Sequence, residues 1–249
     1  MAPPLSRSRP VRRPETDTNP WPATSLLGGL PREIRDEMTG LGRRETFEKG
    51  ERLLREGEQG SHVYLLLSGW YKVVARTEDD REALMAVRTG GDIVGELACF
   101  DALPRVATVM AAGPGVTRLI GRQEFNDFLA AHDTVARAVM RVVAGKLRWS
   151  TRRRQEFGSC PVEMRIARVL GELMRAYGRP GPAGTVIGVS LTQPELAALV
   201  GASEPSVHRV LRTLREERVL DTGYRRILVR DAQELSRIAG TGPDAPLVT

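Results

Sequence analysis

Ser190 to Leu220 reads SLTQPELAALVGASEPSVHRVLRTLREERVL, and two short helices are spelled out in it, ends included. Thr192 with Glu195 three residues later forms a capping box: the hydroxyl takes an orphan N–H at the helix start, and the carboxylate returns to the threonine backbone. Pro194 falls in the first turn, where its missing N–H costs nothing. Leu196, Leu199 and Val200 give this helix an apolar face, and Gly201 supplies a left-handed stop. Ser203 caps a second helix whose apolar face is Val207, Val210, Leu211 and Leu214. Two short helices joined through a glycine turn make a helix-turn-helix, or, on this segment alone, an αα-hairpin used only for packing. Next, Val219, Leu220, a turn at Asp221-Thr222-Gly223, and Arg225, Arg226, Ile227, Leu228 and Val229 predict a hairpin of the winged-helix kind.

Upstream, turn formers almost vanish between Gln123 and Phe157, and residues 123–157 read as one long helix. Ala136, Met140, Val143, Leu147, Ser150, Arg154 and Phe157 recur at alternating steps of four and three, the seam of a two-stranded coiled coil. That seam implies a homodimer. Ser150, with Thr151 beside it, interrupts the seam as a register-setting polar residue or as a hydrogen-bonding partner for something held there. Residues 25–122 contain short β-type runs, VYLLLSG, WYKVVAR and ALMAV, separated by the turn signals EKGE, EGEQG and TGGD, and so predict an antiparallel sandwich or barrel. Residues 1–24, with six prolines and four arginines, lack periodicity and read as a disordered arm. A second domain occupies 158–239, and 240–249 form a short polar tail.

Composition limits the function classes. The chain has 249 residues, 41% apolar and 27% charged, which suits two globular domains. No run approaches the roughly 18 to 20 apolar residues of a membrane span, and the N-terminus has no apolar signal core, so a cytoplasmic protein without a membrane partner is expected. Two cysteines, Cys99 and Cys160, are too few for a disulfide framework or an iron–sulfur cluster, and His62, His132 and His208 lack metal-ligand spacing. Neither a metal site nor haem is expected. No Ser/His/Asp or P-loop arrangement supports an enzyme. Residues 141–185 carry ten basic and three acidic side chains, which suits either a nearby anionic polymer or a solvated basic helix face.

Gly95 to Val109 reads GELACFDALPRVATV: the acid Glu96 at the head of an apolar run and, nine residues on, the single arginine of the stretch, after a proline. This stretch resembles the phosphate-binding cassette of cyclic-nucleotide-binding domains. The order β-roll, long helix, winged helix-turn-helix is similar to that of the Crp/Fnr family of bacterial transcription regulators, over roughly residues 25–235. The glycine turns EKGERLLREGEQG and LSGWYKV occur in the family's order as well. The resemblance implies an α+β fold made of an N-terminal cyclic-nucleotide-binding β-roll, a long dimerisation helix and a C-terminal winged helix-turn-helix.

On that reading Arg105 binds the cyclic phosphate, because a guanidinium fork matches its two exposed oxygens, and Glu96 accepts from the ribose 2′-hydroxyl. Gly95, Leu97, Ala98, Val106 and Ala107 line the remainder with backbone N–H groups. A buried Glu–Arg pair with no ligand is the alternative. Counting back from Arg165-Ile166-Ala167, Ser150 and Thr151 fall where cyclic-AMP-binding members use hydroxyls on the adenine amino group. Val106 lacks the hydroxyl of cyclic-GMP-type sites, so cyclic AMP is the expected effector, with a cytosine-containing or other cyclic ligand as the alternative.

Double-stranded DNA is the expected partner, and RNA polymerase another. The implied DNA contacts are Thr192 and Gln193 on the first helix, Ser203, Glu204, Ser206, His208 and Arg209 at the start of the second, and Arg225 on the wing. Arg209 retains a family arginine, while Glu204-Pro205 departs from the family's familiar Arg-Glu. Glutamate accepts from the cytosine amino group, so a different operator is expected. Ligand would turn a hinge near Gly158 to Pro161 and set both recognition helices about one DNA turn apart. Two rivals remain: a constitutive DNA binder of the same fold with a vestigial pocket, and an enzyme or kinase-type regulatory subunit.

Overall fold

Strand and helix runs are arranged around three apolar cores in the computed structural model, which describes residues 19–223 and 226–241. Helix α1 (Arg32–Gly40) precedes strands β1 (Arg43–Phe47), β2 (Arg52–Leu54), β3 (His62–Ser68) and β4 (Trp70–Arg76). Then come β5 (Glu82–Thr89), β6 (Ile93–Val94), the short helix α2 (Glu96–Asp101), β7 (Thr108–Ala111) and β8 (Gly115–Gly121). The strands form two four-stranded antiparallel sheets, in the orders β1-β8-β3-β6 and β2-β7-β4-β5. Alternation along β3 divides the packing, since successive side chains take opposite faces. Tyr64 and Leu66 join Leu54, Tyr71 and Val109 between the sheets, while Val63 and Leu65 meet Leu26, Met38, Phe125 and Val139 outside. The outer face of β4 and β5 sends Val74, Leu84 and Val87 into the core of the C-terminal domain.

Two helices replace the single long one. Helix α3 (Arg122–Ala131) ends at His132, which leaves the helical region at φ −129° and ψ 85°, and α4 (Asp133–Ser159) follows. An unbroken helix, at about 100° per residue, would set Phe125 and Val135 roughly 80° apart around its axis. The break lets both enter one core. The arm also ends earlier than expected. Trp21 donates its indole N–H to the Leu67 carbonyl at 2.8 Å and Asn19 donates to the Gly28 carbonyl at 3.1 Å, so residues 19–24 are anchored on the roll by an aromatic anchor inside a proline-rich stretch. Residues 1–18, and 242–249 of the expected tail, lie outside the described residues.

The C-terminal domain begins past Cys160, whose extended backbone (φ −114°, ψ 140°) separates α4 from α5 (Val162–Tyr177). Strands β9 (Gly178–Gly181) and β10 (Gly184–Ile187) precede α6 (Gln193–Val200) and α7 (Glu204–Glu216), and β11 (Leu220–Gly223), β12 (Arg226–Val229) and α8 (Ala232–Ile238) complete it. The wing sheet has the order β11-β12-β10-β9. Asp221-Thr222-Gly223, expected as a turn, is strand, with Gly223 paired to Arg226. The architecture is therefore α+β: a β-roll, a long helix and a winged helix-turn-helix.

Candidate functional site

Gly95 caps α2 in the left-handed region at φ 85°, and a Cβ there would lie 2.6 Å from Arg105 Nη1. Only glycine lets the guanidinium approach so closely. Arg105, 5% exposed, donates through Nη1 to the Gly95 carbonyl and through Nη2 to the His62 carbonyl, both at 2.6 Å. Glu96, 3% exposed, accepts from Lys146 Nζ at 3.0 Å, and the same ammonium donates to the Ile93 carbonyl at 2.8 Å. The acid and the arginine of the cassette thus answer to different partners. Burial pulls the Arg105 guanidinium below its ordinary value, with Cys99 and Glu96 opposing the shift. Burial, aided by Arg105, also holds the His62 imidazole down, so that it is neutral at pH 7.

A cavity of about 140 Å³ opens at this point, lined by every expected cassette residue from Gly95 to Ala98 and from Arg105 to Ala107. Arg88 and Lys146 line it too. Sequence reasoning missed both. The available signal for Lys146 was its place one helical turn before Ser150, on a long helix otherwise supplied with arginine. Ser150 and Thr151 do not line the cavity of their own chain: both are exposed, and the Ser150 hydroxyl donates to the Leu147 carbonyl at 3.0 Å. They share an exposed stripe of α4 with Met140 and Leu147, which are 70% and 66% exposed.

The helix-turn-helix is built as its caps dictate. Thr192 Oγ1 accepts from the Glu195 N–H at 3.3 Å, Glu195 Oε2 accepts from the Thr192 N–H at 2.8 Å, and Ser203 Oγ accepts from the Ser206 N–H at 3.4 Å. Gly201 takes φ 60°, and the buried Arg165 donates to the Val200 and Gly201 carbonyls at 2.7 Å each, tying α5 to the turn. Val207, Leu211 and Leu214 are buried. Glu204, His208 and Arg209 therefore face outward from α7, with Ser203 exposed at its cap and Ser206 half-buried beside it. Thr192 and Gln193 are exposed at the start of α6. Arg225 lies outside the described residues. One contact was not foreseen: Lys72 of β4 meets Glu195 Oε1 at 2.5 Å, so the capping-box carboxylate also ties α6 to the roll.

Among the described residues no group of three or more His, Cys, Asp or Glu could hold a metal ion, and no helix is long and apolar enough to cross a membrane.

Residues 44–132 match the family model of the cyclic nucleotide-binding domain, and residues 164–238 that of the Crp-like helix-turn-helix domain. The sequence is 28% identical over 193 residues to a CRP-like cAMP-activated global transcriptional regulator of Mycobacterium tuberculosis, covering 78% of this chain and 86% of that protein. It is 27% identical over 214 residues to the cyclic AMP receptor protein of Thermus thermophilus, covering 86% and 96%. The fold matches that of FixK2 from Bradyrhizobium japonicum with a TM-score of 0.70, at 21% identity over 81% of this chain and 99% of that one.

Proposed function

Because the chain belongs to the Crp/Fnr family of DNA-binding transcription regulators, a family of non-enzymes with a cyclic-nucleotide-binding domain, we propose that it acts as a homodimer switched by cyclic AMP. The buried Arg105 guanidinium, framed by a glycine whose left-handed backbone and missing Cβ admit it, is the observation that carries the nucleotide reading. Arg105 supplies the fork for the cyclic phosphate, and Glu96 the acceptor for the 2′-hydroxyl. Lys146 adds a positive charge beside both cavity walls. Ser150 and Thr151, exposed beside Leu147, face the dimer seam, where a partner chain would bring the adenine of a bound nucleotide within their reach. The effector then acts only through its differential affinity for two arrangements of the recognition helices. At a promoter, RNA polymerase is the further partner, and the cytoplasm is the compartment where these encounters occur.

A second reading has its own support. Arg105 and Glu96 already find hydrogen-bond partners within the chain, as a regulator that binds DNA without effector would need. Operator DNA selected from a random pool separates the two readings. Cyclic AMP should tighten binding by about tenfold or more, the coupling range usual for such switches; equal affinity with and without the nucleotide would favour the constitutive regulator.

Base reading lies with α7. Arg209→Ala should reduce the preference for the selected operator over random DNA by about 1 to 3 kcal/mol, and Glu204→Arg should change the preferred base at one position per half-site. Enrichment of the same palindrome by the wild type and Glu204→Arg would remove Glu204 from the reading surface.

A further inference from the structure

A cavity larger than the one at the cassette lies elsewhere among the described residues. A space of about 420 Å³ lies between the N-terminal segment, α4 and the end of α5, on the face of α4 turned away from the Met140–Leu147 stripe. Its size falls within the roughly 300 to 1,000 Å³ of small-molecule sites. Pro22 to Leu26 form one wall, fixed in place by the Trp21 indole on Leu67 and by the Leu27 N–H on the Gly91 carbonyl at 3.0 Å. Ala138, Val142 and Gly145 form the apolar floor along α4.

Cations dominate the remainder of the lining. Arg88, Arg141, Lys146 and Arg148 all reach it, against the single acid Asp92. Lys146 is committed to Glu96, and Arg88 donates to the Val87 carbonyl at 2.9 Å. Arg141 and Arg148, one on each side of Gly145 and two turns apart on α4, have no hydrogen-bond or ion-pair partner among the described residues. Tyr177, at the end of α5, closes the cavity; burial pushes its phenol up, so it stays a protonated donor.

A concave, partly apolar wall that carries several cations focuses a field attractive to anions. Planar guanidinium forks suit the paired oxygens of a phosphate better than they suit a halide, which is a single spherical acceptor. We propose that this cavity is a second small-molecule site, separate from the cassette, that takes a phosphate-bearing metabolite through Arg141 and Arg148. Arg88 and Lys146 line both cavities, so occupancy of one alters the charge seen by the other, and Tyr177 links the cavity to the C-terminal domain, to which it belongs, while its ring packs edge-on against Trp70 of the roll at 5.0 Å. Coupling of this kind is reciprocal. The site itself rests on none of the cyclic AMP reading.

Inorganic pyrophosphate is the probe, titrated calorimetrically into the full chain at constant ionic strength set with potassium chloride. Saturable binding is expected in the wild type and, unchanged, in Arg105→Ala. In Arg141→Ala/Arg148→Ala it should weaken by at least about tenfold, the loss of two charge-assisted forks. Both arginines are exposed, so this variant should keep the wild-type melting temperature without probe. No saturable heat at millimolar pyrophosphate would overturn the proposal. Wild-type affinity in the double variant would do the same, and so would loss of binding in Arg105→Ala alone, which would place the anion in the cassette.

Discussion

Arg105→Ala should weaken cyclic AMP binding by about 2 to 5 kcal/mol, roughly thirtyfold to a few thousandfold, because a desolvated charge loses its partner across a buried contact. The structure sharpens this expectation. Arg105 is nearly sealed, and two of its five donors hold the Gly95 and His62 carbonyls, so the substitution removes two ties within the chain as well as the phosphate fork. Arg105→Lys separates the two effects, since it keeps the charge and loses the planar fork. It should recover part of the affinity. Calorimetry on both variants, alongside thermal unfolding to check the fold, is the measurement; an Arg105→Ala protein that binds cyclic AMP as tightly as the wild type would remove the cassette from the mechanism.

Leu147→Asp should convert the proposed homodimer to a monomer at micromolar concentration. Met140 and Leu147 are 70% and 66% exposed along one stripe of α4, with half-buried Val143 between them, whereas Phe157, expected in the same seam, turns its ring toward Gly201 and Arg165. Large apolar side chains spaced in this way along a helix mark a surface that another helix covers. An aspartate at its centre would bury two unpaired carboxylates per dimer, each costing several kcal/mol. Sedimentation velocity reads the result directly. Operator affinity should fall with it, because two half-sites bound through one linked pair become two separate events. A wild-type chain that sediments as a monomer would dispose of the seam.

The elements legible in the sequence are those whose determinants lie within a few residues of one another. Thr192 with Glu195, Gly201 and Ser203 fix the ends of α6 and α7 by local hydrogen bonds and a left-handed residue, and β3 follows its period-two alternation. Glu96 and Arg105 were marked out by the resemblance of their stretch to a known cassette, and the structure brings both to one cavity. What escaped is tertiary. The break at His132 answers to packing on the roll, and no local residue announces it. β9 and β10, drawn from RPGPAGTVI, become strands because β12 pairs with β10 across forty residues of chain. Lys146 became a site residue only when α4 docked against the cassette.

The basic surplus of residues 141–185 divides in a way that sequence could not show. Arg153 bridges Glu156 at 2.9 Å and Glu172 at 2.6 Å, Arg168 meets Glu156 at 2.9 Å, and Arg152 meets Glu172 at 2.9 Å. With Arg165 on the carbonyls of the turn, these four cations hold α4, α5 and the helix-turn-helix together. Neither a solvated basic face nor an anionic polymer is needed to account for them.

Val74, Leu84 and Val87 of the roll share one apolar core with Leu196, Leu199 and Val207 of the C-terminal domain. Any arrangement of α7 that departs from this one must wet that surface or cover it with something else. Wetting it adds a positive heat-capacity increment, opposite in sign to the increment from a ligand's own burial. The adhesion also weakens on cooling, as contacts of this kind do. The set point of the regulator would then drift with temperature: in a cold cell less effector would be needed to part the two domains, and in a warm one more.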